Sequence, residues 1–563
     1  MTKIMGLFGA LPSSWRIGRG LAAFRRAEDG SLLILSLFIF IIMLISTGVA
    51  IDLIRQEERR ALIQSTLDRA VLAAADLNQS LSPEDVVADY FAKSGLEHLD
   101  VTPIVQEGDY KEWRSVEATI KDNMPTLFGD LVGMKSLPIK TQSRAEESIG
   151  NVEISMVLDV SGSMNDKVSL SGGKSTTRIA LLKEAGKDFV DTMFKTVQPP
   201  DSIPGKLSIS VVPYNQQVTL GTTLASKFNI STEHMQNSCV DLPRDTFSST
   251  GINPVTFLAR AMYGDSFDYW GNDGFGLQTN NNILNCPNDS RNTVMPLADK
   301  ASTIKTKIGN LYANGDTAID YGAKWGVALL DPAAQPAVTA LITDGVIDGT
   351  LAERPFHYGE ALATSGDKRS MKVLVLMTDG QNTRTYSTKT PFRTGDSPLV
   401  TTNGNKSNSD LSTKYLFYFD ETKGSKPYYS FDEKKWKSAN DVKAHVTIPY
   451  ENIWAKGWTL QYVIKNYLNK PFSGSDSAIY AEMAEQSEFD DKDTDLNKLC
   501  TAAKAPGTEI IIFTVAVDAP AAGQTVLNKC ATAPAYAFNV TSNDMKTAFS
   551  SIASAINALR LTN

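Results

Sequence analysis

The sequence predicts an α/β protein: a doubly wound, mostly parallel sheet with two large insertions, preceded by a transmembrane helix and a small α+β stalk domain. Three observations predict it. Residues 32–51 hold no charge at all, and about 20 apolar residues are what a helix needs to cross a bilayer. Behind them, Ile63, Leu67, Ala70, Val71 and Ala74 fall at i, i+4, i+7, i+8 and i+11, the stripe of a continuing helix. From Val152 onward, apolar strand-like runs alternate with helical patterns, as in a parallel sheet covered on both faces.

Composition sets the bounds. At 563 residues the chain is too long for one core and long enough for roughly two to four domains. Hydrophobic content of 42% and charged content of 21% are those of a globular protein. The net charge is −8 and no long Lys/Arg run occurs, so nucleic acid is not an expected partner. Four cysteines are too few for a disulfide scaffold.

Segment 1–30 carries Lys3, Arg16, Arg19, Arg25 and Arg26 and is expected in the cytoplasm. Residues 31–54 form the transmembrane helix. A secretory signal has a shorter apolar core nearer the terminus, and a surface helix would be amphipathic. Arg55, Arg59 and Arg60 follow the span, so the basic bias toward an inside N-terminus is slight. Residues 55–150 read as a stalk helix with a small α+β region. There Ser82 is placed to cap a helix with Pro83 at its first position, and strands are expected at 114–120 and 136–143.

The remainder, 151–563, carries the alternation. A buried strand over 154–158 ends at Asp159. A helix follows from Thr177 with Leu182, Ala185, Phe189 and Met193 on one face, then strand Leu207–Tyr214. An insertion at about 215–300 is rich in Asn, Asp, Gly and Ser. Helices are expected at 298–311 and 318–330, and a buried strand at 372–377. A second insertion, at about 384–490, has hairpin strands at 415–419 and 428–431, whose aromatics read as a hairpin core. Rhythm returns with helix 496–503, strands 509–517 and 535–540, and helix 544–559.

The chemistry concentrates where the first strand ends. Asp159, Ser161 and Ser163 stand at alternate positions around Gly162, and a tight turn can aim all three oxygens at one point. Hard oxygens at one point suit Mg²⁺ or Mn²⁺. A polar turn with Ser163 capping the next helix is the alternative. Open α/β sheets gather sites at the carboxyl ends of strands. Asp379 follows the strand 372–377, and Thr317 lies in the turn Asn314-Gly315-Asp316-Thr317. The expected metal ligands are therefore Asp159, Ser161, Ser163, Thr317 and Asp379. Asp344, in a second Thr-Asp-Gly, competes with Asp379. Its preceding segment 338–342 is shorter and is expected at an edge, so Asp379 is preferred. His98, His234, His357 and His445 are scattered without H-E-x-x-H spacing, and no enzymatic activity is expected. Asp491, Asp493, Asp495 and Asn497 resemble the start of a calcium loop, but position six lacks Gly and position twelve is Ala502. An acidic helix start is expected there instead.

Asp159-x-Ser161-x-Ser163, Gly315-x-Thr317 with Gly322 five residues on, and Thr378-Asp379-Gly380 together resemble the metal-ion-dependent adhesion site of the von Willebrand factor A family. The span with Asp52 just beyond it, Ala73-Ala74-Ala75-Asp76, Cys530-Ala531 and Leu559-Arg560-Leu561-Thr562 resemble TadG-like proteins of Tad/Flp pilus assembly. That resemblance implies a single-pass bacterial inner-membrane protein, N-terminus cytoplasmic and C-terminal domain periplasmic. It also implies work in assembling or tethering pili. Implied partners are other pilus-assembly or pilin proteins, through an acidic side chain at the metal. Prepilins of that system are cleaved after a Gly and carry Glu five residues on. Here Leu35 stands five after Gly30, so the anchor is expected to stay. A surface adhesin and a partner of an AAA+ ATPase are the alternatives. Of the three pairings open to four cysteines, the local pairs Cys239–Cys286 and Cys500–Cys530 are expected.

Topology is directly testable. Protease added to spheroplasts should digest the C-terminal bulk while intact cells protect it. Protection in spheroplasts as well would place that bulk in the cytoplasm.

Overall fold

One helix, α1 (Asp29–Ala75), opens the described chain and continues without a break from the apolar run into the striped segment. The computed structural model describes residues 29–77, 79–107, 113–148, 150, 151–170, 172–200, 202–264, 284–286, 289–358, 370–403, 411–442 and 444–562. The five basic residues of segment 1–30 lie outside them, as do parts of both insertions. The chain divides into two units, Met1–Ser148 and Ile149–Asn563.

In the first unit, side chains 32–44 of α1 stand mostly exposed, while Ile63, Leu67, Ala70, Val71 and Ala74 are wholly buried. The stripe therefore has a partner. Helix α2 (Pro83–Lys93) starts as expected, with the Ser82 hydroxyl accepting from the Asp85 amide at 3.1 Å. Its Val86, Val87 and Phe91 join the stripe on a three-stranded antiparallel sheet. The strands are β1 (Ile104–Glu107), β2 (Trp113–Pro125) and β3 (Ser136–Ser148). The last two run longer than expected, because thirteen pairs of a single hairpin hold their polar ends in register. Buried Arg114 donates to the carbonyls of Ala74 and Asp76, where a cation suits the last carbonyls of a helix.

The second unit is built on six strands in the order β6-β5-β4-β7-β8-β9: β4 (Asn151–Asp159), β5 (Leu207–Tyr214), β6 (Met295–Ala298), β7 (Ser370–Thr378), β8 (Ile511–Val517) and β9 (Ala537–Val540). All neighbours run parallel except β6, which lies antiparallel to β5. The 215–300 insertion therefore ends by returning an edge strand to the sheet, which the expected boundary missed. Val152, Ile154, Met156 and Leu158 face α3 (Arg178–Val197), α4 (Ala301–Asn310) and the C-terminal helix Met545–Thr562. Val157, Tyr214, Leu374 and Leu376 face α5 (Ile319–Ala328), α6 (Phe489–Ala503) and α7 (Ala521–Cys530). With both faces covered, the central strands β4 and β5 are buried along their whole length.

The segment 338–342 is helical, within Gln335–Thr343, and not the edge strand expected. Its β-branched residues suggested a strand. Burial of Ala337, Val338 and Leu341, spaced i, i+1 and i+4, is a helical face, and tertiary packing decides. In the second insertion, Leu416–Phe419 and Tyr428–Ser430 pair antiparallel as expected, inside a five-stranded sheet. Both expected disulfides are present, with Cα separations of 6.1 Å for Cys239–Cys286 and 5.1 Å for Cys500–Cys530.

Among the buried charge pairs of this unit, that between α5 and α6 has a readable removal. Lys492 of α6 meets Asp320 of α5 at 2.8 Å, and both side chains are buried. Truncating one partner strands the other charge, so Lys492→Ala should destabilise the unit by about 3–5 kcal/mol. The double change Asp320→Leu with Lys492→Met should recover most of that. Thermal unfolding of the detergent-solubilised chain checks both.

Candidate metal centre

Register brings the two expected carboxylates to one end of the sheet. Leu158 of β4 pairs with Met377 of β7, so Asp159 and Asp379 both emerge past the carboxyl ends of adjacent parallel strands. The fully buried Asp159 accepts from the Ser161 amide at 2.7 Å and from the Thr378 hydroxyl at 2.6 Å. The Ser161 and Ser163 hydroxyls lie 3.1 Å apart, and Ser163 Oγ donates to Asp379 Oδ1 at 2.6 Å. Asp159, Thr378, Ser161, Ser163 and Asp379 thus form one cluster of oxygens.

Thr317 enters from a third loop. Gly162 N donates to Gly315 O at 2.8 Å, joining the serine turn to the Gly-Asp-Thr turn. Gly315 has φ +75°, and a Cβ there would stand 2.8 Å from Asn215 Nδ2, so only glycine suits the position. Thr317 O accepts from Thr383 N and Oγ1, and Thr317 N donates to Thr383 Oγ1. A Cβ on Gly380 would stand 3.6 Å from Thr317 Oγ1, which places that hydroxyl beside the backbone next to Asp379. Gly322 has a separate job: a Cβ there would meet the Tyr214 ring at 2.5 Å, so its absence lets α5 pack against β5.

Asp344 is elsewhere, at the C-terminal end of the helix Gln335–Thr343, exposed and paired with Lys227. Among the calcium-like acids, Asp491 and Asp495 hold Arg244, and Asp493 accepts from Asn382. All lie within α6, a helix and not a loop.

Two participants were not expected. Thr378 belongs to the Thr-Asp-Gly motif without being an expected ligand, and Arg178 lies outside every motif. Arg178 Nη1 donates to Asp379 Oδ2 at 3.0 Å and to exposed Asp166 at 3.2 Å; its Nε lies 3.8 Å from Asp518 at the end of β8. The sequence carried a signal for it. A cation in the first turn of a helix opposes the macrodipole, so an arginine opening α3 needs carboxylates around it.

The electrostatics fit a cation. Burial, and next the charge of Asp379, hold Asp159 above the usual carboxylate range. Burial also raises Asp379, against the Ser163 hydrogen bond and Arg178. The donors are two carboxylates and hydroxyls, hard oxygens of the kind Mg²⁺ and Mn²⁺ take. Every side chain of the cluster presents oxygen, with no nitrogen or sulfur donor among Asp159, Ser161, Ser163, Thr378 and Asp379. Elsewhere His98 meets Arg59, His445 stacks on Phe419, and buried His234 is lowered to about 4 by desolvation and Arg260.

Comparison with known proteins gives one family and several structures. Residues 30–77 match a family model described as Flp pilus-assembly TadE/G-like. No curated protein sequence matches the chain. Among solved structures, the chain is similar to the vWF domain of the type V pili tip protein Mfa5 from Porphyromonas gingivalis. That match has 14% identity, covers 73% of this chain and 96% of that one, and has a TM-score of 0.25. It is also similar to the pilus adhesin SpaC from Lactobacillus rhamnosus GG, at 11% identity, covering 82% of this chain and 34% of that one, with a TM-score of 0.24.

The Thr378 hydroxyl is the side-chain donor closest to Asp159. Thr378→Val keeps its shape and leaves a buried carboxylate oxygen short of a partner, at a cost of about 1.5–3 kcal/mol. A lowered thermal midpoint, with secondary structure unchanged by circular dichroism, is the expected result.

Proposed function

We propose that this chain is a single-pass inner-membrane protein that assembles or tethers Tad/Flp-type pili. On this reading the N-terminus is cytoplasmic and residues 151–563 are a periplasmic von Willebrand A domain. The observation that carries the reading is the union, in one chain, of a TadE/G-like match at 30–77 with a hydroxyl-and-carboxylate cluster on a separate sheet unit. Two disulfides fit an oxidising compartment, and they weigh against the cytosolic AAA+ alternative.

Asp159, Ser161, Ser163, Thr317 and Asp379 would hold Mg²⁺ or Mn²⁺. Bound there, the ion would offer an open coordination position to an acidic side chain of a pilin or another assembly protein. The chain's own residues supply the rest. Asp159 and Asp379 provide negative charge, the hydroxyls fix direction, and Thr378 and the Ser161 amide hold Asp159 in place. The site is a binding device rather than a catalytic one.

Isothermal titration of Mg²⁺ or Mn²⁺ into the detergent-solubilised chain tests the site. Asp379→Ala and Asp159→Ala should lose binding, since each removes charge and a fixed oxygen. Asp344→Ala should bind as the parent does, and Arg178→Ala should bind more tightly because a competing cation is gone. Normal binding in Asp379→Ala would remove it from the ligand set.

A further inference from the structure

The tip of the β2–β3 hairpin, residues 126–135, has an unusual surface. Leu127 is 63% and Leu131 71% exposed, and Phe128, Val132 and Met134 are exposed with them. Five apolar side chains on one short turn are more than a water-facing hairpin normally shows. The turn sits against α1 at a particular level. A Cβ on Gly48 would stand 2.6 Å from Phe128 Cβ, so the helix presents bare backbone where the Phe128 side chain lies. One turn on, buried Asp52 accepts from the amides of Leu127, Phe128 and Gly129 at 2.9, 2.7 and 2.8 Å. Gly48 lies in the last turn of the charge-free run 32–51, and Asp52 is its first charge. The exposed tip is therefore level with the end of the membrane-spanning segment.

The backbone is prepared for a poor solvent. Besides the three amides on Asp52, Leu131 N donates to Phe128 O, Gly133 N to Asp130 O and Met134 N to Gly129 O. The Thr126 hydroxyl donates to Met134 O at 2.6 Å. A turn that satisfies its amides internally can enter a low-dielectric layer that an ordinary loop cannot. Exposed Asp130 and Lys135 on the same turn set the depth, since charges stay at the headgroups.

We propose that the hairpin tip 126–135 is a second membrane contact, which seats Leu127, Leu131 and Val132 in the bilayer interface beside α1. The occupant of this apolar patch is lipid, because the patch continues the exposed apolar surface of the helix. The tip fixes the depth of α1 and resists its sliding along the membrane normal. The inference rests on reading α1 as spanning the bilayer, and its test separates the two.

All four cysteines are disulfide-bonded, so one introduced thiol can be labelled uniquely. The full chain is reconstituted in phosphatidylcholine–phosphatidylglycerol vesicles with an environment-sensitive fluorophore at Leu131→Cys, Leu37→Cys or Leu81→Cys. All three positions are exposed, so the changes leave the packing intact. Leu81 lies beyond the far end of α1, about 40 Å along the helix from Gly48. Doxyl-labelled lipid should quench the label at 131 and 37 several-fold more than at 81, with shallow-doxyl lipid best for 131. Quenching at 37 but not at 131 overturns the proposal, leaves α1 in the membrane, and frees the tip for a protein partner. No quenching at 37 overturns both readings.

Discussion

The parallel pairing of β4 with β7 is the constraint on which the second unit depends. Because Leu158 stands opposite Met377, two aspartates leave neighbouring strands at the same edge, one fully buried and the other nearly so. Like charges in a low-dielectric site raise each other's pKa, and the surrounding structure answers that cost. Thr378, the Ser161 amide, Ser163 and Arg178 all direct donors or charge toward the pair. The tight glycines follow from the same demand. At Gly315, and where a Cβ on Gly523 would stand 2.0 Å from Gly380 O, backbones approach too closely for a side chain.

The first insertion packs Val218, Leu220, Phe228 and Phe247 onto the main core, whereas the second brings a core of its own. The second is organised around Leu399, Tyr450, Trp454, Ile464 and Tyr480, so its five-stranded sheet does not borrow apolar surface from the main one. Ion pairs tie it to the rest of the unit: Arg393 reaches Glu233 and Asp241. Long insertions cost little closure entropy when their ends are fixed. The Cys239–Cys286 bridge links positions 47 residues apart within the first insertion.

Much of this was legible in the sequence because the strongest signals are also the most physical. A charge-free run, an i, i+4, i+7 stripe and apolar strands ending in Asp read correctly at α1, β4 and β7. The Ser82 cap read correctly because Ser followed by Pro and acids has one mechanical use. What failed were features that long-range packing decides. The helix Gln335–Thr343 was mistaken for a strand because five β-branched and apolar residues carry no period of their own. The edge strand Met295–Ala298 was hidden in a polar stretch since an edge needs only one apolar face. Arg178 escaped because its partners lie 12, 201 and 340 residues away in the chain, and no local pattern reports such distances.

Arg178 also bears on how the proposed metal would couple to folding. Many metal sites cannot form until the ion arrives, because unpaired ligands repel one another. Here a guanidinium already answers one oxygen of Asp379, and the Ser163 hydroxyl answers the other. Asp159 has a hydroxyl and an amide of its own. Both carboxylates therefore have donors from the protein itself. Metal would then add to a finished site and displace a hydrogen bond or an arginine contact, not organise a loop. On the proposed function, such a site would exchange its ion without unfolding.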